Sequence, residues 1–243
     1  MDSRAIIEHI RKAKKVTPCK AYIQWNETGQ SKKRAVLLLR EALPECRVFD
    51  CGSAAVVFGE YSEIEEALSR LSSSIQYSEV EASARNSALP LLDIKKLNAR
   101  IEPGAIIREY VSVGEHAVIM MGAIINIGAV IGARSMIDMG AVLGGRAVVG
   151  RDCHIGAGAV LAGVIEPESA CPVIVEDEVF VGANAVVIEG CRIGKGSVIG
   201  AGTVVTGDIP PHSLVVGVPG RIVKTLRRDE TAAKDIIREL REL

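Results

Sequence analysis

From Ile101 onward the chain sets a branched aliphatic residue at every sixth position. The series is Ile101, Ile107, Val113, Ile119, Ile125, Ile131, Ile137, Leu143, Val149, Ile155 and Leu161. After an interruption it resumes as Val175, Val181, Val187, Ile193, Ile199 and Val205. The next residue is often glycine, as at Gly114, Gly132, Gly144, Gly150, Gly156, Gly182, Gly194 and Gly200, and the residue four places on is usually small, as at Ala117, Ala123, Ser135, Ala141, Cys153 and Cys191. Neither a 3.6-residue helical period nor simple alternation produces a six-residue repeat; short strands joined by tight corners do. Three hexads per triangular coil stack residue i on i+18 at the strand spacing of about 4.8 Å. The pattern therefore predicts a mainly β chain built around a parallel β-helix over 101–209. A polar, proline-bracketed loop, 165–173, is extruded from it.

The flanks lack this period. Arg4 to Lys15 reads as a short amphipathic helix, Pro18 to Trp25 as a strand, and Asn26 to Gly29 as a turn. Arg47 to Phe58 is strand-like around Gly52, and Tyr61 to Leu71 is helical, with Ser62 and Glu65 spaced as a capping box. These features predict a small α/β domain over 1–85, followed by a linker and helical entry over 86–100. The coils are expected to close at Asp208-Ile209-Pro210-Pro211, leaving 210–243 as a C-terminal extension in which 224–243 forms a charged amphipathic helix.

Composition narrows the function classes. A net charge of −1, with no basic stripe interleaved with aromatics, gives no reason to expect nucleic acid. No run of 18 apolar residues exists and the polar N-terminus lacks a signal-peptide core, so a cytoplasmic protein with no membrane partner is expected. Aromatics make up 3%, which suits a narrow solenoid core. The six cysteines form no C-x-x-C pair, and the solenoid carries too few histidines for a zinc site, so neither structural disulfides nor a metal is expected. One buried aliphatic per hexad is a thin core for each coil, and packing coils against sister subunits is the natural supplement. A triangular prism suits a homotrimer.

The chemistry is sought where the pattern breaks. Arg108 and Asn126 occupy the usual glycine slot eighteen residues apart, hence on one edge of adjacent coils, and Asp138 occupies it on another edge. An arginine suits bidentate carboxylate recognition and an aspartate can accept a proton. In a trimer, two edges of neighbouring subunits can face one cleft. His154, one residue before an aliphatic, points outward and has a suitable unperturbed pKa for a general base. His116 is a weaker candidate, and Arg146 and Arg151 flank the coil of His154. Lys195, Arg221, Lys224, Arg227 and Arg228 concentrate positive charge near the last coils, where a nucleotide-bearing polyanion can dock with its remainder along exposed backbone such as Gly182-Ala183 and Gly200-Ala201. For each residue the plain alternative is an exposed corner or a solvated charged face, and a catalytically silent scaffold is the alternative for the whole.

The hexads resemble those of the hexapeptide-repeat acyltransferases. Longer runs extend the resemblance: Asn98 to Arg108, Val118 to Ala129, Met136 to Met139, Leu143 to Ala147, Cys153 to Pro167 and the linker Arg85 to Ile94 are similar to the tetrahydrodipicolinate N-acetyltransferases, over nearly the whole chain. The resemblance implies a left-handed β-helix trimer that binds acetyl-CoA between subunits and acetylates a cyclic imine dicarboxylate in diaminopimelate and lysine biosynthesis. It supports a carboxylate-binding role for Arg108 and a catalytic one for Asp138, and matches the wider pattern at His154 and Glu166. With the readings above, the expected catalytic residues are Asp138, His154 and Glu166, the substrate contacts Arg108, Asn126 and Arg146, and the acetyl-CoA contacts Gly182, Ala183, Lys195, Gly200, Ala201, Arg221 and Lys224. Val186 stands where related succinyltransferases carry a glutamate, so a two-carboxylate mechanism does not carry over, and Glu166 or His154 substitutes. Gly140 and Gly220 are minor departures from the pattern. Another hexapeptide acyltransferase, acting with succinyl-CoA on the same dicarboxylate or on an amino sugar or serine, is the alternative.

Overall fold

The computed structural model describes residues 2–26, 28–167 and 169–227, which divide into two compact units. One comprises 13–88; the other combines the coils from 89 onward with the first helix, α1 (Ser3–Lys12). Sequence pattern grouped α1 with the α/β domain, but its packing groups it with the coils. Ile6 of α1 is fully buried, with its Cδ1 where a side chain on Gly128 would start.

Within 13–88 the order is β1 (Pro18–Trp25), α2 (Gly29–Ala42), β2 (Arg47–Asp50), β3 (Ala54–Glu60), α3 (Tyr61–Arg70) and β4 (Ile75–Ala82). They form one antiparallel sheet ordered β2-β3-β1-β4, the split β-α-β arrangement of ferredoxin-like domains. Alternation along β1 turns Cys19, Ala21, Ile23 and Trp25 towards a core shared with Ala55, Val57, Val36, Leu39, Ile64 and Ala67. Helix α2 escapes the sequence pattern because its first turns are polar and Leu37 and Leu38 are exposed, blurring the helical period. Edge strand β4 escapes because only Ile75 and Val80 are half-buried. The expected capping box is absent. Ser62 lies inside the first turn of α3, whose N-cap is Glu60, and Glu60 Oε2 accepts the Thr17 N–H at 2.6 Å.

In the second unit the six-residue aliphatics form three parallel sheets, of six, six and five strands, around a core containing Ile119, Ile125, Ile131, Ile137, Leu143, Ile155 and Leu161. Pairing repeats at eighteen residues, as in Val118 with Met136, Ile124 with Val142, and Val130 with Val148. Beyond the interruption Val148 pairs with Ile174 rather than with residue 166, so eight residues are looped out while the register resumes. We call the sheets containing Ile137, Leu143 and Val149 the first, second and third faces.

Each hexad needs two kinds of backbone accommodation. The third residue after the aliphatic adopts a left-handed φ, whether glycine (Gly122, Gly140, Gly158) or not (His116, Arg134, Arg146, Asp152). The glycine directly after the aliphatic does not; it serves close approach between coils, since a Cβ on Gly144 would sit 2.0 Å from Gly163 N. In the small-residue column Ser135 is fully buried yet satisfied: its hydroxyl donates to Gly150 O at 2.7 Å and accepts from Cys153 N at 2.9 Å.

The coils do not close at 209. A strand at Ser213–Val216 continues the first face beside Val198-Ile199 and folds back as an antiparallel hairpin with Arg221–Thr225. Lys224 and Thr225 are therefore strand, and the remainder of the expected C-terminal helix, from Arg228 onward, lies outside the described residues. Among the described residues no helix is long and apolar enough to cross a membrane.

The two classes of glycine predict different costs. Gly144→Ala forces backbone apart and should cost about 3 kcal/mol. Gly140→Ala has open space around its φ of +67° and should cost about 1 kcal/mol. Chemical denaturation of the two variants measures both, and equal losses would contradict the assignment.

Candidate functional site

At several corners the N–H of the second residue after the aliphatic is met by a side chain rather than by the carbonyl ladder. Asn126 Oδ1 accepts from Ile127 N at 2.8 Å, Asp138 Oδ1 from Met139 N at 2.7 Å, and Asp177 Oδ1 from Arg151 N at 2.7 Å. This explains why a short amide or carboxylate suits the corner slot. It also leaves each of the first two with one polar end that the corner does not use: the amide NH2 of Asn126 and Oδ2 of Asp138.

The corner between the second and third faces carries, coil by coil, Arg108, Asn126, Gly144 and Ala162. Beside it lies an open hollow of about 570 Å³, lined by Ile10, Asn126, Gly144, Gly145, Gly163, Ile165 and Glu166. Asn126 is half-buried, while Arg108 and Glu166 are exposed. Gly163 lines the hollow with exposed backbone, while Gly145 is buried with the Ile165 side chain packed over it; the N–H groups of both make no hydrogen bond among the described residues. An exposed, unspent amide donor such as that of Gly163 suits an oxyanion or carboxylate. Helix α1 reaches this wall through Ile10, a contribution the sequence did not signal because α1 lies outside the repeat.

Arg146 stands differently from the other substrate candidates. From a left-handed backbone position its Nη1 donates to Val164 O at 3.4 Å, to Ala170 O at 3.1 Å and to Ser3 Oγ. Its Nη1 thus serves both ends of the extruded loop and the start of α1. It ties down the loop that carries Glu166.

The corner between the first and second faces carries Asp138, then Gly156, Gly182 and Gly200 in successive coils. His154, in the outward column of the first face, places Nε2 3.4 Å from Asp138 Oδ2, with both side chains about a quarter exposed. The Phe180 ring lies beyond the imidazole, centroids 5.0 Å apart. From this pair a strip of corner backbone runs towards the C-terminal hairpin. Gly182 and Gly200 form its narrow waist, with Ala183 and Ala201 exposed beside them. Arg221 and Lys224 lie exposed on the hairpin at its end. Lys195 is on another edge, after Ile193 of the third face, and its ammonium pairs with Glu178 at 2.9 Å. Arg227 is exposed, and Arg228 lies outside the described residues.

The sequence treated Asp138 and His154 as separate candidates. Eighteen-residue stacking sets Met136 under His154 and so brings the neighbouring Asp138 to the imidazole. Phe180 had no signal beyond its place in the same column. His116 takes the left-handed corner position, and Arg151 is exposed. Among the described residues no group of three or more His, Cys, Asp or Glu could hold a metal ion, and all six cysteines are free thiols.

Burial pushes the Cys153 thiol up to about 12, so at pH 8 only about one molecule in ten thousand carries the reactive thiolate. Alkylation of the native protein should label exposed Cys51 and Cys171 and leave Cys153 untouched until denaturation. Arg146→Ala should speed hydrogen exchange of the Val164 and Ala170 amides about tenfold or more, leaving the amides of Val118 and Val130 at wild-type rates. Unchanged exchange in the loop would refute its role as a tie.

Family comparisons agree with this architecture. Residues 1–94 match the family described as tetrahydrodipicolinate succinyltransferase N-terminal. Residues 128–163 match bacterial transferase hexapeptide (six repeats), and 172–207 match the hexapeptide repeat of succinyl-transferase. The chain is 54% identical to the 2,3,4,5-tetrahydropyridine-2,6-dicarboxylate N-acetyltransferase of Thermotoga sp. (strain RQ2), covering 100% of both chains. It is 50% identical to that of Brevibacillus brevis, covering 100% of this chain and 99% of the relative. Among solved structures, perosamine N-acetyltransferase from Caulobacter crescentus, in complex with CoA and GDP-perosamine, is 36% identical over 53% of this chain and 57% of that one, with a TM-score of 0.48. Full-length identity at this level places the chain in the family of 2,3,4,5-tetrahydropyridine-2,6-dicarboxylate N-acetyltransferases.

Proposed function

We propose that the chain transfers the acetyl group of acetyl-CoA to tetrahydrodipicolinate, with water, giving N-acetyl-L-2-amino-6-oxopimelate and CoA, in the acetylase branch of diaminopimelate and lysine biosynthesis. The observation that carries the chemistry is the Asp138–His154 pair at the head of the bare-backbone strip. Water adds to the imine and opens the ring, exposing an amine. The amine attacks the thioester carbonyl, its proton passes to His154, and the departing thiolate takes up a proton to leave as CoA. Asp138 has one oxygen held by Met139 N–H and the other facing the imidazole. Its place is therefore to orient His154 and stabilise the imidazolium. This revises the sequence expectation of Asp138 as the base itself.

The acetyl-CoA groove follows the corner strip past Gly182-Ala183 and Gly200-Ala201 towards Arg221 and Lys224, where phosphates meet positive charge. The dicarboxylate sits by Asn126 and Glu166, with the exposed Gly163 amide receiving a carboxylate and Arg108 supplying a cation. On one chain the hollow and the His154 pair lie on different corners, and a homotrimer unites them by setting one corner against another. An aliphatic outward column on the second face, Ile106, Ile124, Val142, Val160, Val186 and Val204, supports that assembly. Ile106 and Ile124 are 47% and 44% exposed in the single chain.

The competing donor is succinyl-CoA, since two matched families carry succinyltransferase descriptions. Assaying thiol release from acetyl-CoA and succinyl-CoA with tetrahydrodipicolinate separates the readings. Faster turnover with the succinyl donor would overturn the acetyl assignment. His154→Ala should lower kcat about 100-fold to 10,000-fold and abolish the acidic limb of the pH–rate profile, with the acetyl-CoA Kd little changed. Asp138→Asn should lower kcat about 10-fold to 100-fold, less than His154→Ala, with the acetyl-CoA Kd little changed. Wild-type turnover in His154→Ala would eliminate it as the base.

A further inference from the structure

The open face of the 13–88 sheet carries half of the chain's aromatic residues in a role the acyl-transfer chemistry does not use. The sequence contains three Phe, four Tyr and one Trp. Helices α2 and α3 cover one side of the sheet, while Tyr22, Phe49, Phe58 and Tyr77 lie on the other. Phe49 and Tyr77 are 52% and 67% exposed, and Tyr22 is 37% exposed. Exposed aromatic clusters of this kind mark association surfaces.

The strand register arranges the face in rows. One row reads Arg47, Phe58, Lys20, Glu81 from β2 to β4; the next reads Phe49, Val56, Tyr22, Glu79; the third ends at Gln24 and Tyr77. Cations thus occupy the β2 side and the centre, and carboxylates the β4 edge. Arg47, Glu79 and Glu81 form no ion pair among the described residues, and the Arg47 guanidinium lies 5.7 Å from the Phe58 ring centre. A hollow beside the first row is lined by Lys20, Arg47, Phe58 and Glu81.

This layout is complementary to itself under one two-fold operation. An axis parallel to the strands, between β1 and β3, lays β2 of one copy over β4 of the other and keeps each row opposite itself. Arg47 then meets Glu81 of the other copy, and Lys20 meets its Phe58, an ion pair and a cation–π contact, each made twice. Val56 and Tyr22 of both copies fill the centre, and Phe49 lies towards the rim opposite Glu79 of the other copy. An axis perpendicular to the strands instead sets the two β4 edges together and opposes Glu79 to Glu79. We infer that this open sheet face is an isologous interface, whose occupant is the same face of a second copy of this chain.

Combined with the proposed trimer, the interface predicts six protomers; if coils do not trimerise, it predicts two. Sedimentation equilibrium of the full chain across a concentration series should therefore give an even multiple of the protomer mass. The double variant Phe49→Asp with Tyr77→Asp should halve that mass with an unchanged thermal midpoint. Arg47→Glu and Glu81→Arg should each weaken the association about tenfold, and the two together should restore it to within about threefold of wild type, since the swapped charges again meet across the axis. A wild-type mass of one or three protomers, or an aromatic double variant with undiminished mass, would overturn the interface. A charge-swap variant no tighter than the weaker single variant would overturn the strand-parallel axis. Failure of the trimer alone reads differently, as a wild-type mass of two that falls to one.

Discussion

Everything in the larger unit depends on the contact between one coil and the next. Coils come together closely enough for parallel backbone hydrogen bonds, and where glycine follows the aliphatic it leaves room for the backbone of the neighbouring coil. The interior aliphatic and the small residue four places later then fill a cross-section too narrow for rings. Because every coil repeats this solution, the register is set throughout, and an insertion is tolerated only if the chain returns to the same residue-on-residue stacking. The loop after Val164 does so, leaving the strands above and below it in step.

That constraint also generates the site. A corner that omits glycine must find another way to serve its orphan N–H, and a short side-chain oxygen does this at Asn126 and Asp138. Each then offers its remaining polar end outward at a position rigidly held by the coil. Stacking supplies His154 to Asp138 from the next coil, and the extruded loop brings Glu166 to the hollow beside Asn126. The candidate side chains are thus held on a scaffold whose geometry is nearly independent of their identity, the arrangement preorganisation requires.

The two units differ in how openly their sequences declare them. Six-residue periodicity is a long, redundant signal, and it identified the strands, the core column and the interruption from residue identities alone. The 13–88 domain has no repeat to average over. Strand β1 was legible because its alternation is clean, whereas α2 begins with polar turns and β4 is an edge strand with little to bury. Ser62 and Glu65 matched a capping motif, yet Glu60 takes the N-cap because the chain enters α3 directly from β3.

The sequence by itself determined the architecture, the edges on which polar residues depart from glycine and, through its long similar runs, the family, because these rest on local identities repeated or matched along the chain. Tertiary structure decided which of those residues meet. Asp138 and His154 are sixteen residues apart and come together only through stacking. Arg146, a candidate substrate ligand, turns Nη1 to the carbonyls of Val164 and Ala170 and to Ser3. Helix α1 joins the coils rather than the domain beside it in sequence. A side chain's partner depends on contacts between distant segments, and no local period encodes those.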